Sequence, residues 1–543
     1  MAKTKRRLRP AKHRKAVPAV ETWSRPWWRG AVFYQIYIRS FADSNDDGIG
    51  DLQGIISRLE YVKRLGVDAI WITPFYPSPQ KDHGYDVADY YDVNPEYGTL
   101  KDFDEVVSRA HALRLKVLVD LVPNHTSDQH PWFQAALKSP DDPHRSLYYF
   151  ADGKPDGSPP NNWESAFGVP AWTKDDRSGQ WYMHLFAPEQ PDLNWWNPKV
   201  PKEFEKILKF WLDHGADGYR IDVASALFKR KDLADRPTVK DPVTGQPKLD
   251  ATFKMIDQPE VHEVYRAWRR ILNQYQPPRV LVGEIFEPRR QARYILPDQL
   301  DMAFAMVRAR WNAALWKRSI EVDQRASPGP VAAPSWTQSN HDVVRHVTRL
   351  GGGFMGRARA RAALLLLLGL PGQAFLYQGE ELGLEEVDVP PDQRQDPVFI
   401  LSGGKEAGRD GCRVPMPWSR GLPNAGFSTV APWLPTPPGW DRYAVDAQDG
   451  SAGSMLTFYR RVLALRRQLV GILPNQVRWC PAPQGVLVYE HGRLTAAVNF
   501  LGRPVQLASR GRLLIATHPL ASHSKGRLIL PANSGAWLDN LAP

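Results

Sequence analysis

DGYRIDVA, residues 217–224, is a short run that opens on Asp217 and carries two more charges, Arg220 and Asp222, among its apolar residues. In an extended strand residues two apart share a face, so Arg220 and Asp222 point the same way. The same texture recurs along the chain. AVFYQIYIRSF (31–41), DAIWITPF (68–75) and KVLVDLVPN (116–124) precede it, and RVLVGEIF (279–286), DMAFAM (301–306), PSWTQSN (334–340) and QAFLYQG (373–379) follow. Between these runs lie stretches with apolar residues at helical spacing: Ile55, Leu59 and Val62; Phe103, Val106, Val107 and Ala110; Phe204, Leu208, Trp211 and Leu212. Eight buried strands alternating with helices predict the α/β class and, by their number, a (β/α)8 TIM barrel.

The interruptions of this rhythm suggest the domains. The gap between the third and fourth strands is too long for one helix, and its SPPNNWESAFGVPAW stretch marks an inserted domain over 126–198. The barrel then occupies 27–125 and 199–472. From 473 to 543 the apolar runs become short and are broken by turn residues, as in a small antiparallel β domain.

The 543 residues exceed one ordinary core, and 43% hydrophobic with 24% charged residues is a globular composition. No run reaches the roughly 18 apolar residues of a membrane span. Two cysteines, Cys412 and Cys480, cannot build a disulfide framework, and the amino terminus lacks an apolar signal core. A cytoplasmic location is therefore expected. The eight Lys and Arg of residues 1–15, unaccompanied by any acid, account for all but +3 of the net charge of +11. Residues 1–26 read as a solvated basic tail, with nucleic acid limited to weak tail contacts.

At the active face of such a barrel, the polar residues that end apolar runs carry the chemistry. Here they are Asp120, Asn124 and His125 after the third strand, Arg220 and Asp222 on the fourth, Glu284 on the fifth, and Asn340, His341 and Asp342 after the seventh. One aspartate closing a strand is ordinarily a cap or an ion-pair partner. Converging carboxylates with two histidines and an arginine point to acid/base chemistry instead.

DLVPNH (120–125), GYRIDVA (218–224), GEIF (283–286) and SNHD (339–342) resemble the four core motifs of the α-amylase superfamily, glycoside hydrolase family 13. QPDLN (190–194) resembles its fifth motif in the α-glucosidase and oligo-1,6-glucosidase branch. The resemblance implies that Asp222 is the nucleophile, Glu284 the general acid/base and Asp342 the carboxylate that stabilises the transition state. It makes His125 and His341 ligands of the glucosyl hydroxyls, Tyr85 the ring that stacks on the terminal glucose, and Asp82 the group that grips its far hydroxyls. Arg413, in GRDGCRVPMPW, is expected to pair with Asp82 and close the pocket beyond one glucose. Phe167 and Val223 join the substrate-binding set, and Val223 leaves α-1,4 and α-1,6 linkages both open. Arg220 is expected to keep Asp222 ionised, and Glu284 to have a raised pKa.

In Asp43-Ser-Asn45-Asp-Asp47-Gly-Ile49-Gly-Asp51 oxygen donors alternate as in an EF-hand loop, though the bidentate Glu at position twelve is missing. The resemblance implies a structural Ca2+ site there, with Mg2+ a second candidate; the alternative is an Asx-rich turn. The expected activity is a retaining, exo-acting α-glucosidase on short oligosaccharides, with no organic cofactor. The alternatives are a glucosyl transferase or isomerase of the sucrose isomerase or trehalose synthase type, and a catalytically inactive scaffold.

Overall fold

The structure, a computed structural model, describes residues 26–540 apart from 241–245, 251, 286–287, 328–332, 471–472 and 474–475. The basic tail lies outside the described residues, except for Pro26. Each of the eight expected runs forms a parallel strand: Val32–Ile36, Ala69–Ile72, Lys116–Leu121, Gly218–Ile221, Val280–Gly283, Met302–Met306, Ser335–Thr337 and Gln373–Tyr377. Each pairs with its neighbours in sequence, and the first pairs with the eighth through Phe33 and Phe375, which closes the barrel.

The two-residue alternation sorts the interior into layers. Phe33, Trp71, Leu118, Val282, Phe304 and Phe375 form an apolar floor, with Phe33 and Phe375 stacked at 4.5 Å between ring centroids. One step further along the strands stand Gln35, Asp120 and Arg220, and strand register sets Asp120 directly beside Arg220. A dry floor beneath a charged layer confines the chemistry to the carboxyl ends of the strands. The other faces of the strands pack on surrounding helices. Leu52–Leu65 is capped by Asp51 and ended by left-handed Gly66, and Leu100–Ala112 starts in a Thr99/Asp102 capping box.

The inserted lobe contains the helix Pro131–Lys138 and a small antiparallel sheet of Phe150–Ala151, Trp172–Lys174 and Trp181–Met183, over a core of Tyr149, Trp163, Trp172 and Met183. It leaves and rejoins the barrel at an antiparallel bridge between His125 and Asp192. A second excursion, absent from the sequence reading, follows the fourth strand. It carries the hairpin strands Thr238–Lys240 and Pro247–Leu249 and leans on the lobe, with Trp163 Nε1 donating to Ala234 O at 2.9 Å.

After the helix Met455–Leu469, five strands form one antiparallel sheet and three another. The larger sheet docks on the helix Gly353–Leu368 through Tyr489 and Trp537, whose polar tips donate to Leu366 O and Leu365 O. Its strand Ser534–Asp539, not anticipated from sequence, lies between Leu494–Asn499 and Arg512–Ala516. Among the described residues no helix is long and apolar enough to cross a membrane.

Candidate active site

Arg220 is the electrostatic centre of the barrel mouth. Its side chain is 1% exposed, and it donates to Asp120 Oδ1 at 3.0 Å and Asp222 Oδ1 at 2.6 Å while pairing with Glu284 Oε1 at 2.8 Å. One guanidinium thus faces three buried carboxylates. Burial pushes Asp120 up to about 6, and raises Asp222 and Glu284 as well. Arg220 favours the ionised form of Asp222, as expected, but burial together with the charges of Glu284 and Asp120 outweighs it, so the carboxyl stands above its ordinary value. The expected rise at Glu284 is present, caused by burial and opposed by Arg220, with the charge of Asp342 adding to it.

Just past Asp222 the chain turns through Val223 with φ of 43°, a left-handed conformation costly for a β-branched residue. That turn lets Val223 N donate to Glu284 Oε2 at 3.1 Å. Local strain thus fixes the second carboxylate relative to the first.

Asp342 behaves differently. Burial opposes its charge, but His341 Nε2 at 3.2 Å and the guanidiniums of Arg409 and Arg413, both at 3.1 Å, hold it well below the usual carboxylate range. His341 receives Gln35 Nε2 on Nδ1 at 2.6 Å and stacks on Tyr85 at 5.2 Å with planes 6° apart. Tyr85 in turn donates to Asp120 Oδ2 at 3.0 Å. Burial lowers both His341 and His125, the latter to about 4, so both rings are neutral at pH 7.

The guanidinium paired with Asp82 is that of Arg409, at 2.7 Å, and not the expected Arg413. The short helix Asp410–Arg413 explains the exchange: Arg409 precedes it and turns into the pocket, whereas Arg413 ends it and is fully buried against His341 O and Asp342. Arg409 also pairs with Asp396 at 2.7 Å and lies over the ring of Phe167 at 5.3 Å. Phe167 meets Phe186 edge-on at 5.6 Å.

Asp82, Tyr85, His125, Asp222, Val223, Glu284, His341 and Asp342 line one pocket of about 160 Å³. Arg409, Gln190 and Phe186 complete its wall and were not assigned from sequence. Gln190 was legible as part of QPDLN; Arg409 and Phe186 had no separate signal. A larger cleft, about 790 Å³, opens in the C-terminal β unit, but its one carboxylate, Glu490, is already paired with Arg478.

In the 43–51 loop, Asp43 accepts the N–H groups of Asn45, Asp46 and Gly48, Asp47 accepts that of Ile49, and Asp51 caps the following helix through Gly54 N at 2.6 Å. Among the described residues no three acidic, His or Cys side chains converge as a preformed metal cage. The donors nonetheless fit a hard cation. A carboxylate has about four lone-pair positions, so oxygens bonded to loop amides can still ligate.

A model of the α-amylase catalytic domain matches residues 35–473. The chain is 42% identical to a probable alpha-glucosidase of Rhizobium meliloti (strain 1021) over 472 residues, covering 84% of this chain and 85% of that protein. It is 37% identical to an oligo-1,6-glucosidase of Parageobacillus thermoglucosidasius over 486 residues, covering 82% and 84%. Among solved structures, the alpha-glucosyl transfer enzyme XgtA superposes with a TM-score of 0.88 at 37% identity, over 95% of this chain and 99% of that one. The trehalulose synthase MutB from Pseudomonas mesoacidophila MX-45 gives 0.84 at 31% identity, over 95% and 99%. With all but the start of the barrel's first strand, the lobe after its third strand and the acidic pocket at its mouth within the matched span, the chain belongs to the α-amylase family, glycoside hydrolase family 13, in its α-glucosidase branch.

Proposed function

We propose that this protein is a retaining, exo-acting α-glucosidase that releases α-glucose from the non-reducing end of short α-1,4- or α-1,6-linked oligosaccharides. The observation that carries the reading is the pocket itself, with the Asp82–Arg409 ion pair in its wall and two carboxylates joined through one arginine.

Asp222 attacks the anomeric carbon while Glu284 protonates the leaving oxygen. Water, deprotonated by Glu284, then releases the sugar with its configuration retained. This needs one proton on the pair, which burial and the proximity of the other carboxylates favour while Arg220 favours the ionised partner. Asp342, held ionised, faces the oxocarbenium-like charge. Neutral His125 and His341 offer N–H donors to hydroxyls, and Tyr85 gives the ring a stacking face. Incubation with maltose, isomaltose, sucrose, trehalose and maltotriose, with products separated by chromatography, tests the reading. Glucose should be the first product from maltose or isomaltose. Release of no glucose from any of the five would refute it.

Glucosyl transfer is the second reading, favoured by the likeness to XgtA. It shares the first half-reaction and differs in the acceptor, so trisaccharide products from a disaccharide substrate, growing with its concentration, would mark it. A structural Ca2+ held by Asp43, Asn45, Asp47, Asp51 and the carbonyl of Ile49 belongs to the same proposal; its part would be to brace the loop after the first strand. Two free cysteines, Cys412 buried, support a cytoplasmic setting.

A further inference from the structure

Lys229, seven residues beyond Asp222, is fully buried and sits where three segments of chain meet. Its ammonium lies 2.6 Å from Asn124 Oδ1, after the third strand, and 2.8 Å from Asp192 Oδ2, at the return of the inserted lobe. Asp192 is equally buried, and a carboxylate taken out of water at that distance requires a cationic partner.

An ammonium only donates, so Asn124 must turn its carbonyl oxygen toward Lys229. Its amide nitrogen then faces the other way, 3.2 Å from Asp192 Oδ1 and 3.0 Å from His125 Nδ1. Because that nitrogen donates, His125 Nδ1 must accept and carries no proton. The single proton of the neutral ring is left on Nε2, the atom on the pocket side, 3.0 Å from the carbonyl of Tyr85, which can only accept. The Asn124 amide and the Tyr85 carbonyl therefore demand the same tautomer. Gln190 Nε2, fixed by its bond to Asp82 and by Gln190 Oε1 on Ala187 N, lies 3.1 Å from His125 Nε2 and is the one neighbour that would suit the other tautomer; with the ring proton on Nε2 these two N–H groups do not bond to each other and both are left for a hydroxyl oxygen.

We infer that Lys229 is a positioning residue for the glucosidase reaction: through Asn124 it sets the tautomer of His125, so that the ring presents an N–H to the bound sugar. The inference rests on the reading of the pocket as a glucoside site. It also explains why a lysine is buried here. An apolar residue could fill the space but could not orient the amide.

Two variants test the relay. Asn124→Asp keeps size and still accepts from Lys229, but it has no donor for His125 Nδ1 and draws the ring proton there. Lys229→Met removes the ammonium. In both, kcat/KM on an aryl α-glucoside should fall about ten- to a hundredfold, the range for one misdirected hydrogen bond to substrate. In a His125→Ala background Lys229→Met should cost almost nothing more. Nitrogen-15 NMR of histidine-labelled protein, with His125 assigned by its loss in His125→Asn, should give the Nε2–H pattern in the wild type and the Nδ1–H pattern in Asn124→Asp. An Nδ1–H ring in the wild type overturns the relay, as does an undiminished Lys229→Met effect without His125. If the wild type hydrolyses no α-glucoside, the activity reading falls, while the NMR pattern still decides the tautomer.

Discussion

Replacing Asp82 by Ala separates the closed pocket from the general stability of the barrel mouth. Asp82 is 3% exposed; one oxygen accepts from Arg409 and the other from Gln190. Bound sugar would exchange these contacts for hydroxyls, and each charge-assisted hydrogen bond lost is worth about 1.5–3 kcal/mol. At 1.36 kcal/mol per tenfold, kcat/KM on maltose or isomaltose should drop by about one to two orders of magnitude. The fold should hardly notice. Arg409 keeps Asp396 at 2.7 Å and Asp342 at 3.1 Å, so no buried cation is orphaned and the roughly 3–5 kcal/mol cost of a broken buried pair does not arise. The assay is initial-rate glucose release beside a thermal melt. Wild-type efficiency in the variant refutes the argument, as does rapid internal cutting of amylose by the wild type, since a chain could then run through.

Asp222→Asn should abolish turnover while the protein still melts cooperatively, and a glucosyl fluoride trap should label Asp222; labelling elsewhere overturns the assignment. Chelation should lower the melting temperature of the wild type but not that of Asp47→Ala, which should already melt low; equal melting of both, with and without Ca2+, would reduce the loop to a turn. Asp217, buried beneath the barrel, would be raised by burial alone, but hydrogen bonds from His111 and Lys116 outweigh it and hold its carboxyl below the usual range. A depressed folded-state pKa stabilises above the unfolded value of about 3.9 and stops doing so as pH falls through the folded value, so the gap in melting temperature between wild type and Asp217→Asn should close only at acid pH. A gap independent of pH refutes the charge argument.

The barrel was legible because strands buried on both faces read as short, mostly apolar runs that recur between helices, with Ser335–Thr337 the most polar of them. The carboxylates proposed as catalytic were legible because each ends such a run. What escaped notice lacked that contrast. Ser534–Asp539 carries Gly535 early in a short strand and reads as a turn, while its pairing is decided by partners some forty and twenty residues away in sequence. The 238–249 hairpin has its strand Thr238–Lys240 exposed throughout, so no apolar face announces it. Arg409 and Arg413 were indistinguishable in sequence because both lie within reach of Asp342; only the turn of helix between them decides which meets Asp82.

The bridge between His125 and Asp192 clamps the two ends of the inserted lobe together where it joins the barrel. To the barrel, some sixty-five residues therefore count as a single closed stem. Lengthening or rebuilding what hangs from that stem costs only a slowly growing loop entropy, about 0.6 kcal/mol for each doubling. The lobe supplies Phe186 and Gln190 to the pocket wall and sets Phe167 against Arg409, while the barrel supplies the carboxylates proposed to react. On the proposed reading, substrate choice is thus mounted on a detachable part, so that new selectivities could be grafted above the stem without disturbing the reaction below.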